Sequence, residues 1–173
     1  KNDRPEIDGL RALAVLSVII YHGDLSLFGY KLLKGGFLGV DIFFVISGYL
    51  ITNLILNEIK LKGKFSYLFF YERRARRLLP ALFVVILTII PVSFLLLLPS
   101  EFEEFSKSVL YTLGFGSNFY FYYSGLIYGA ENGLLKPLLH TWSLSVEEQF
   151  YFIFPIITLF FLKFFKNKII YIV

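Results

Sequence analysis

Leu10-Arg-Ala-Leu-Ala-Val-Leu-Ser-Val-Ile-Ile-Tyr-His22 is an almost unbroken apolar run with a guanidinium near its start and an imidazole at its end. Read as a membrane helix, it carries two ionisable groups. Such groups are costly in lipid and mark function by default. Their separation corresponds to a rise of roughly 16 Å at 1.5 Å per residue. It also returns to within roughly 20° of the starting direction, so Arg11 and His22 share one face. The bland reading is an Arg that snorkels to one interface and a His at the other. The functional reading has Arg11 anchoring a phosphorylated cofactor by a bidentate contact and His22 serving as a base near neutral pH.

Composition places the rest of the chain in the same setting. Hydrophobic residues make up 57% and charged residues 17% of it, against about half and a quarter in soluble domains. The absence of cysteine excludes disulfides, thiol chemistry and thiolate metal sites. Two histidines argue against a His-rich metal site, so no metal is expected. The net charge of +4 comes from clustered Lys and Arg and reads as orientation information, not as a nucleic-acid footprint.

Five apolar stretches follow in order: about 10–30, with Asp8 as N-cap; 37–59; 78–98; 109–128; and 146–165. Lys1, Arg4 and Arg11, and the basic residues from Lys60 to Arg77, belong on the cytoplasmic side. Lys31 and Lys34 then lie outside, with Glu101, Glu103 and Glu104. If the fourth stretch spans, Lys163, Lys166 and Lys168 fall on the wrong side. A re-entrant or interfacial fourth stretch keeps the charge rule. Its Gly114, Gly116, Ser117 and Asn118 suit irregular backbone held within protein, so this reading is favoured. The expected fold is all-α: a polytopic helix bundle with four or five membrane helices. Lys168-Ile-Ile-Tyr-Ile-Val173 reads as a further apolar segment cut short, so the chain is expected to be an N-terminal piece of a longer membrane protein.

Three more motifs carry chemistry. Gly35-Gly-Phe-Leu-Gly-Val-Asp-Ile-Phe-Phe-Val-Ile-Ser-Gly-Tyr49 combines glycines suited to close helix packing with Asp41, for which His22 is the candidate partner and helix capping the bland role. Arg73-Arg-Ala-Arg-Arg77 places arginines three and four apart on a helix face, a phosphate clamp or an anchor on anionic lipid. His140-Thr-Trp-Ser-Leu-Ser-Val-Glu-Glu-Gln-Phe-Tyr151 contains a capping-box spacing in Ser145 and Glu148. Capping leaves His140, Glu147 and Gln149 unexplained, and they suggest a substrate site.

These motifs, in this order, strongly resemble the acyltransferase 3 family of integral membrane O-acyltransferases. The matching residues are Asp8-Gly-Leu-Arg11 with His22, Gly36 to Gly48, Arg73-Arg-Ala-Arg-Arg-Leu-Leu-Pro80, and Leu138 to Tyr151. The resemblance covers nearly the whole chain. Family domains carry about ten helices, so residues 1–173 are expected to be the N-terminal portion of one such domain, with further C-terminal helices as partners.

The resemblance implies acyl-CoA, usually acetyl-CoA, as donor substrate from the cytoplasm, with no permanently bound cofactor. The implied acceptor is a hydroxyl of a surface carbohydrate such as lipopolysaccharide O-antigen, exopolysaccharide or peptidoglycan. It implies a multi-pass protein of the bacterial inner membrane. Arg11 and His22 match the family's essential pair. Arg73 and Arg76 match its basic donor motif, with Arg77 as a third member. On this reading His22 is general base or acyl carrier, Asp41 orients it, and His140, Glu147 and Glu148 are acceptor-site candidates. The alternative is a transporter or channel whose substrate path uses the intramembrane Arg, His and Asp.

Overall fold

The computed structural model describes residues 5–23, 25–27, 30–125 and 136–164. The chain divides into two compact units, Lys1–Lys64 and Phe65–Val173.

The first unit is a helical hairpin. Helix α1 spans Pro5–His22, and Ser26–Leu27 (β1) pairs antiparallel with Tyr30–Lys31 (β2). Helix α2 spans Leu38–Lys62. Proline suits a first helical position, and acidic groups suit the positive N-terminal end, here Glu6 and Asp8. Asp8 therefore lies inside the helix, correcting its expected N-cap role. The helix also stops at His22, well short of Tyr30, because the chain turns into the β1–β2 ladder. Helix α2 ends where Gly63 takes φ 70° and returns its N–H to the Ile59 carbonyl at 2.8 Å, a left-handed conformation that favours glycine.

Two glycines set how closely α1 and α2 approach. A Cβ on Gly36 would strike the Ser17 carbonyl and the Tyr21 side chain. A Cβ on Gly39 would strike the Ala14 carbonyl and Val18. Ala14, opposite Gly39, is 1% exposed. This is the small-residue contact that membrane helices use where no hydrophobic force draws them together.

In the second unit, α3 runs Tyr67–Leu96, α4 Pro99–Leu113, α5 Ser117–Gly125 and α6 Thr141–Phe164. Glu101 accepts the Leu98 N–H at 2.8 Å and holds the start of α4. Phe105, Phe121 and Leu138 form a core packed by Ile89, Leu97 and Phe102. This core joins the C-terminal half of α3 to α4, α5 and the turn before α6.

Among the described residues, three helices are long and apolar enough to cross a membrane: α2, α3 and α6. Helix α1 has 18 residues but carries Glu6, Asp8 and Arg11 in its first half. The fourth apolar stretch is not one helix. It breaks between α4 and α5 at Gly114-Phe115-Gly116, with Phe115 at φ 52°. The break falls where glycine, serine and asparagine suggested irregular backbone. The last part of that stretch, 126–128, lies outside the described residues.

The break is held from α6. Thr141, Ser145 and Gln149 recur every fourth residue and so share one helix face. Thr141 Oγ1 lies 3.1 Å from Thr112 Oγ1 and 3.0 Å from Ser117 Oγ. Ser145 Oγ lies 2.7 Å from Ser117 Oγ and accepts the Ser117 N–H at 3.2 Å. The Gln149 amide donates to the Phe115 carbonyl at 2.7 Å and to Asn118 Oδ1 at 2.9 Å. The expected capping box is therefore corrected. Helix α6 begins at Thr141, not near Val146, so Ser145 is interior and its hydroxyl is spent on α5.

Two stability predictions follow from this packing. Gly39→Ala should cost about 1–3 kcal/mol by overpacking, read as a lowered unfolding midpoint in detergent. Gly35→Ala, whose Cβ would meet only the Leu38 side chain at 3.7 Å, should leave that midpoint unchanged. Gln149→Leu strands the Phe115 carbonyl and Asn118 and should cost about 1–3 kcal/mol. Limited proteolysis should then show faster cleavage at 114–118 than in the wild type.

Candidate functional site

The first unit presents Arg11 and His22 along one stripe of α1. Arg11, Ala14, Val18 and His22 follow the three-and-four spacing of a single helix face. The register against α2 is antiparallel: Gly36 faces Ser17 and Tyr21, Gly39 faces Ala14 and Val18, and the Arg11 guanidinium lies 6.0 Å from the Phe43 ring. Arg11 is half-buried, with Nη1 3.9 Å from Asp8 Oδ1. Its Nε is buried and has no hydrogen-bond partner among the described residues. Any further acceptor, such as a phosphate oxygen, would have to meet the Nη groups of this guanidinium.

His22 is exposed, and its Nδ1 lies 3.0 Å from the Val18 carbonyl. A carbonyl can only accept, so this hydrogen bond puts the proton on Nδ1. In the neutral imidazole of that tautomer Nε2 carries the lone pair that a base or nucleophile requires. The Tyr21 ring meets the imidazole edge-on at 5.2 Å.

Asp41 does not join them. It lies two residues from both Gly39 and Phe43, about 200° around α2 from the α1-facing side. The register sets it level with Leu13–Leu16, roughly 10 Å along the axis from His22. It is exposed, and among the described residues it makes no hydrogen bond or ion pair. The expected His22–Asp41 contact is corrected: the carboxylate sits on the wrong face and too deep.

In the second unit, Arg73, Arg76 and Arg77 are exposed on α3. The Arg73 guanidinium lies 4.4 Å from the Phe69 ring, and Arg76 is held by Glu72 Oε1 at 2.7 Å. Arg74, not singled out beforehand, is the inward one. It continues the stripe Phe70, Leu78, Leu82 and Ile86, and its guanidinium stacks 4.4 Å from the Tyr151 ring. Its four-residue spacing from Phe70 and Leu78 was the available signal.

Arg74 and Glu148 border a cavity of about 420 Å³ walled by α3, α6 and the Gly114-Phe115 break. Glu147 instead accepts a hydrogen bond from the Tyr151 hydroxyl. His140 is exposed in the turn before α6, and its carbonyl accepts from Ser143 Oγ at 3.2 Å. It precedes the two glutamates by about two helical turns, roughly 10–12 Å, so the three do not form one cluster.

On α4, Glu104 accepts hydrogen bonds from Lys107 and from the Tyr120 hydroxyl, each at 2.7 Å. These bonds hold its carboxyl below the ordinary range.

A family model described as an acyltransferase domain matches residues 4–173. The chain is 43% identical over 163 residues to the peptidoglycan O-acetyltransferase OatA of Listeria monocytogenes, covering 94% of this chain and 25% of that protein. It is 39% identical over 164 residues to the O-acetyltransferase OatA of Staphylococcus aureus, covering 95% of this chain and 26% of that protein. The chain thus spans about a quarter of the length of these relatives. No solved structure matches it.

The placement of Asp41 has a measurable consequence. An acid that orients a catalytic histidine costs about 10⁴ in kcat when converted to its amide. Asp41→Asn in the full-length protein should instead cost its activity less than about tenfold and leave the pH profile of that activity unchanged.

Proposed function

This chain belongs to the acyltransferase 3 family, and on that premise we propose that the protein it belongs to is a membrane O-acyltransferase. It moves an acetyl group from acetyl-CoA to a hydroxyl of a surface glycan. Peptidoglycan is the first acceptor to test, since one relative is named for it. The protein sits in the bacterial plasma membrane with its N-terminus and the Arg73–Arg77 face cytoplasmic, as the Lys and Arg distribution favours.

The observation that carries this reading is the pairing on one helix face of the half-buried Arg11 guanidinium with the exposed His22 imidazole, whose Nδ1 is engaged by the Val18 carbonyl. Arg11 in the first unit, and Arg73, Arg76 and Arg77 in the second, are each candidates to bind the donor's phosphates by charge-assisted hydrogen bonds. His22 Nε2 takes the proton of the acceptor hydroxyl. The oxygen attacks the thioester carbonyl, the new C–O bond forms, and the C–S bond breaks. His22 returns its proton to the departing thiolate. The same lone pair would serve if the acyl group passed first to Nε2 as an acyl-imidazole.

Gly36 and Gly39 close the seam between α1 and α2. His140 and Glu147 remain candidates for contact with the acceptor.

His22→Ala in the full-length protein should lower transfer of labelled acetyl from acetyl-CoA to peptidoglycan by about 10²–10⁴-fold at normal expression. Retained transfer would contradict the proposal.

A further inference from the structure

The cavity in the second unit has polar groups of two kinds. Tyr71 and Gln149 are committed: the Tyr71 hydroxyl lies 3.3 Å and 3.1 Å from the Tyr151 and Phe152 carbonyls, and Gln149 holds the Phe115 carbonyl. Arg74 and Glu148 are not. Both are half-buried, both line the cavity, and neither makes a hydrogen bond or ion pair among the described residues. Stacking on Tyr151 holds the Arg74 guanidinium in place without using its N–H groups. The remaining walls are apolar, from Ala75, Leu78 and Leu79 on α3 to Phe152 and Ile153 on α6.

These features select a ligand. The volume of about 420 Å³ lies within the roughly 300–1,000 Å³ of small-molecule sites. The α3 wall, Tyr71 to Leu79, is roughly 12 Å long. A lipid tail would leave Arg74 and Glu148 facing hydrocarbon, which is costly for groups that need hydrogen-bond partners. A phosphate would find a single cationic group, Arg74, among mostly apolar walls. An uncharged chain with both amide carbonyls and amide N–H groups satisfies both Arg74 and Glu148.

We propose that this slot holds the amide-bearing pantetheine arm of the acyl donor, with a carbonyl accepting from Arg74 and an N–H donating to Glu148. The inference rests on the acyl-CoA reading. It moves Glu148 from the acceptor side to the donor side and adds Arg74 to the donor's contacts. The exposed Arg73, Arg76 and Arg77 on the same helix are left for the phosphates.

The test uses full-length protein in detergent and two labelled probes: coenzyme A, and adenosine bisphosphate, its nucleotide end without the arm. Ala75→Phe fills the slot and should weaken coenzyme A about tenfold while leaving the bisphosphate unchanged. Coenzyme A binding that is unaffected, or both probes weakened alike, would overturn the assignment. Glu148→Gln keeps the shape and should raise the KM for acetyl-CoA about three- to tenfold with the glycan KM unmoved. A rise in the glycan KM alone would return Glu148 to the acceptor side. Wild-type protein that binds neither probe would instead remove the acyl-CoA reading itself.

Discussion

In hydrocarbon, every backbone N–H and C=O must find its partner within the protein. The second unit is organised around one place where that demand is hard to meet. At Gly114-Phe115-Gly116 the helix stops and restarts, and the freed groups need replacement partners. Phe115 and Gly116 return their N–H groups to the Thr112 and Tyr111 carbonyls, while from α6 Ser145 accepts the Ser117 N–H and Gln149 donates to the Phe115 carbonyl. Thr141, on the same α6 face, adds hydroxyl contacts to Thr112 and Ser117. The lock also makes one wall of the cavity, because Gly114 and Phe115 close it opposite Arg74. Backbone satisfaction and site formation are thus the same contacts.

The first unit meets a different constraint. Two apolar helices in lipid gain little from hiding from solvent, so they must gain from proximity. Gly36 and Gly39 provide it by letting the backbones touch. The close register then determines which groups share a face. Arg11 and His22 do, the first half-buried and the second exposed. Asp41 does not, because two residues of helix turn it away.

What was legible in the sequence was whatever depends on local period. The spacing of Arg11 and His22, the helical Arg73–Arg77 run and the interruption near Gly114 follow from residues close in the chain. What was missed depends on which helix lies opposite. Ser145 and Glu148 have capping-box spacing, yet Ser145 is used by Ser117, 28 residues away. The Asp41–His22 pairing was plausible from charge alone, and only the α1–α2 register excludes it. Arg74 was hidden among four neighbouring arginines. Its distinction lies in continuing the buried stripe of α3, a pattern visible once Phe70, Leu82 and Ile86 are seen to be buried.

The proposed transfer from a cytoplasmic donor to an external hydroxyl is sided, and sealed inside-out vesicles that carry the full-length protein and enclose glycan acceptor read that sidedness. Labelled acetyl-CoA added outside these vesicles meets only the cytoplasmic face. Label should reach the enclosed glycan while the vesicles remain impermeable to coenzyme A. Label that stays on acetyl-CoA, or reaches glycan only when the donor is sealed in with it, would rule the proposed transfer out.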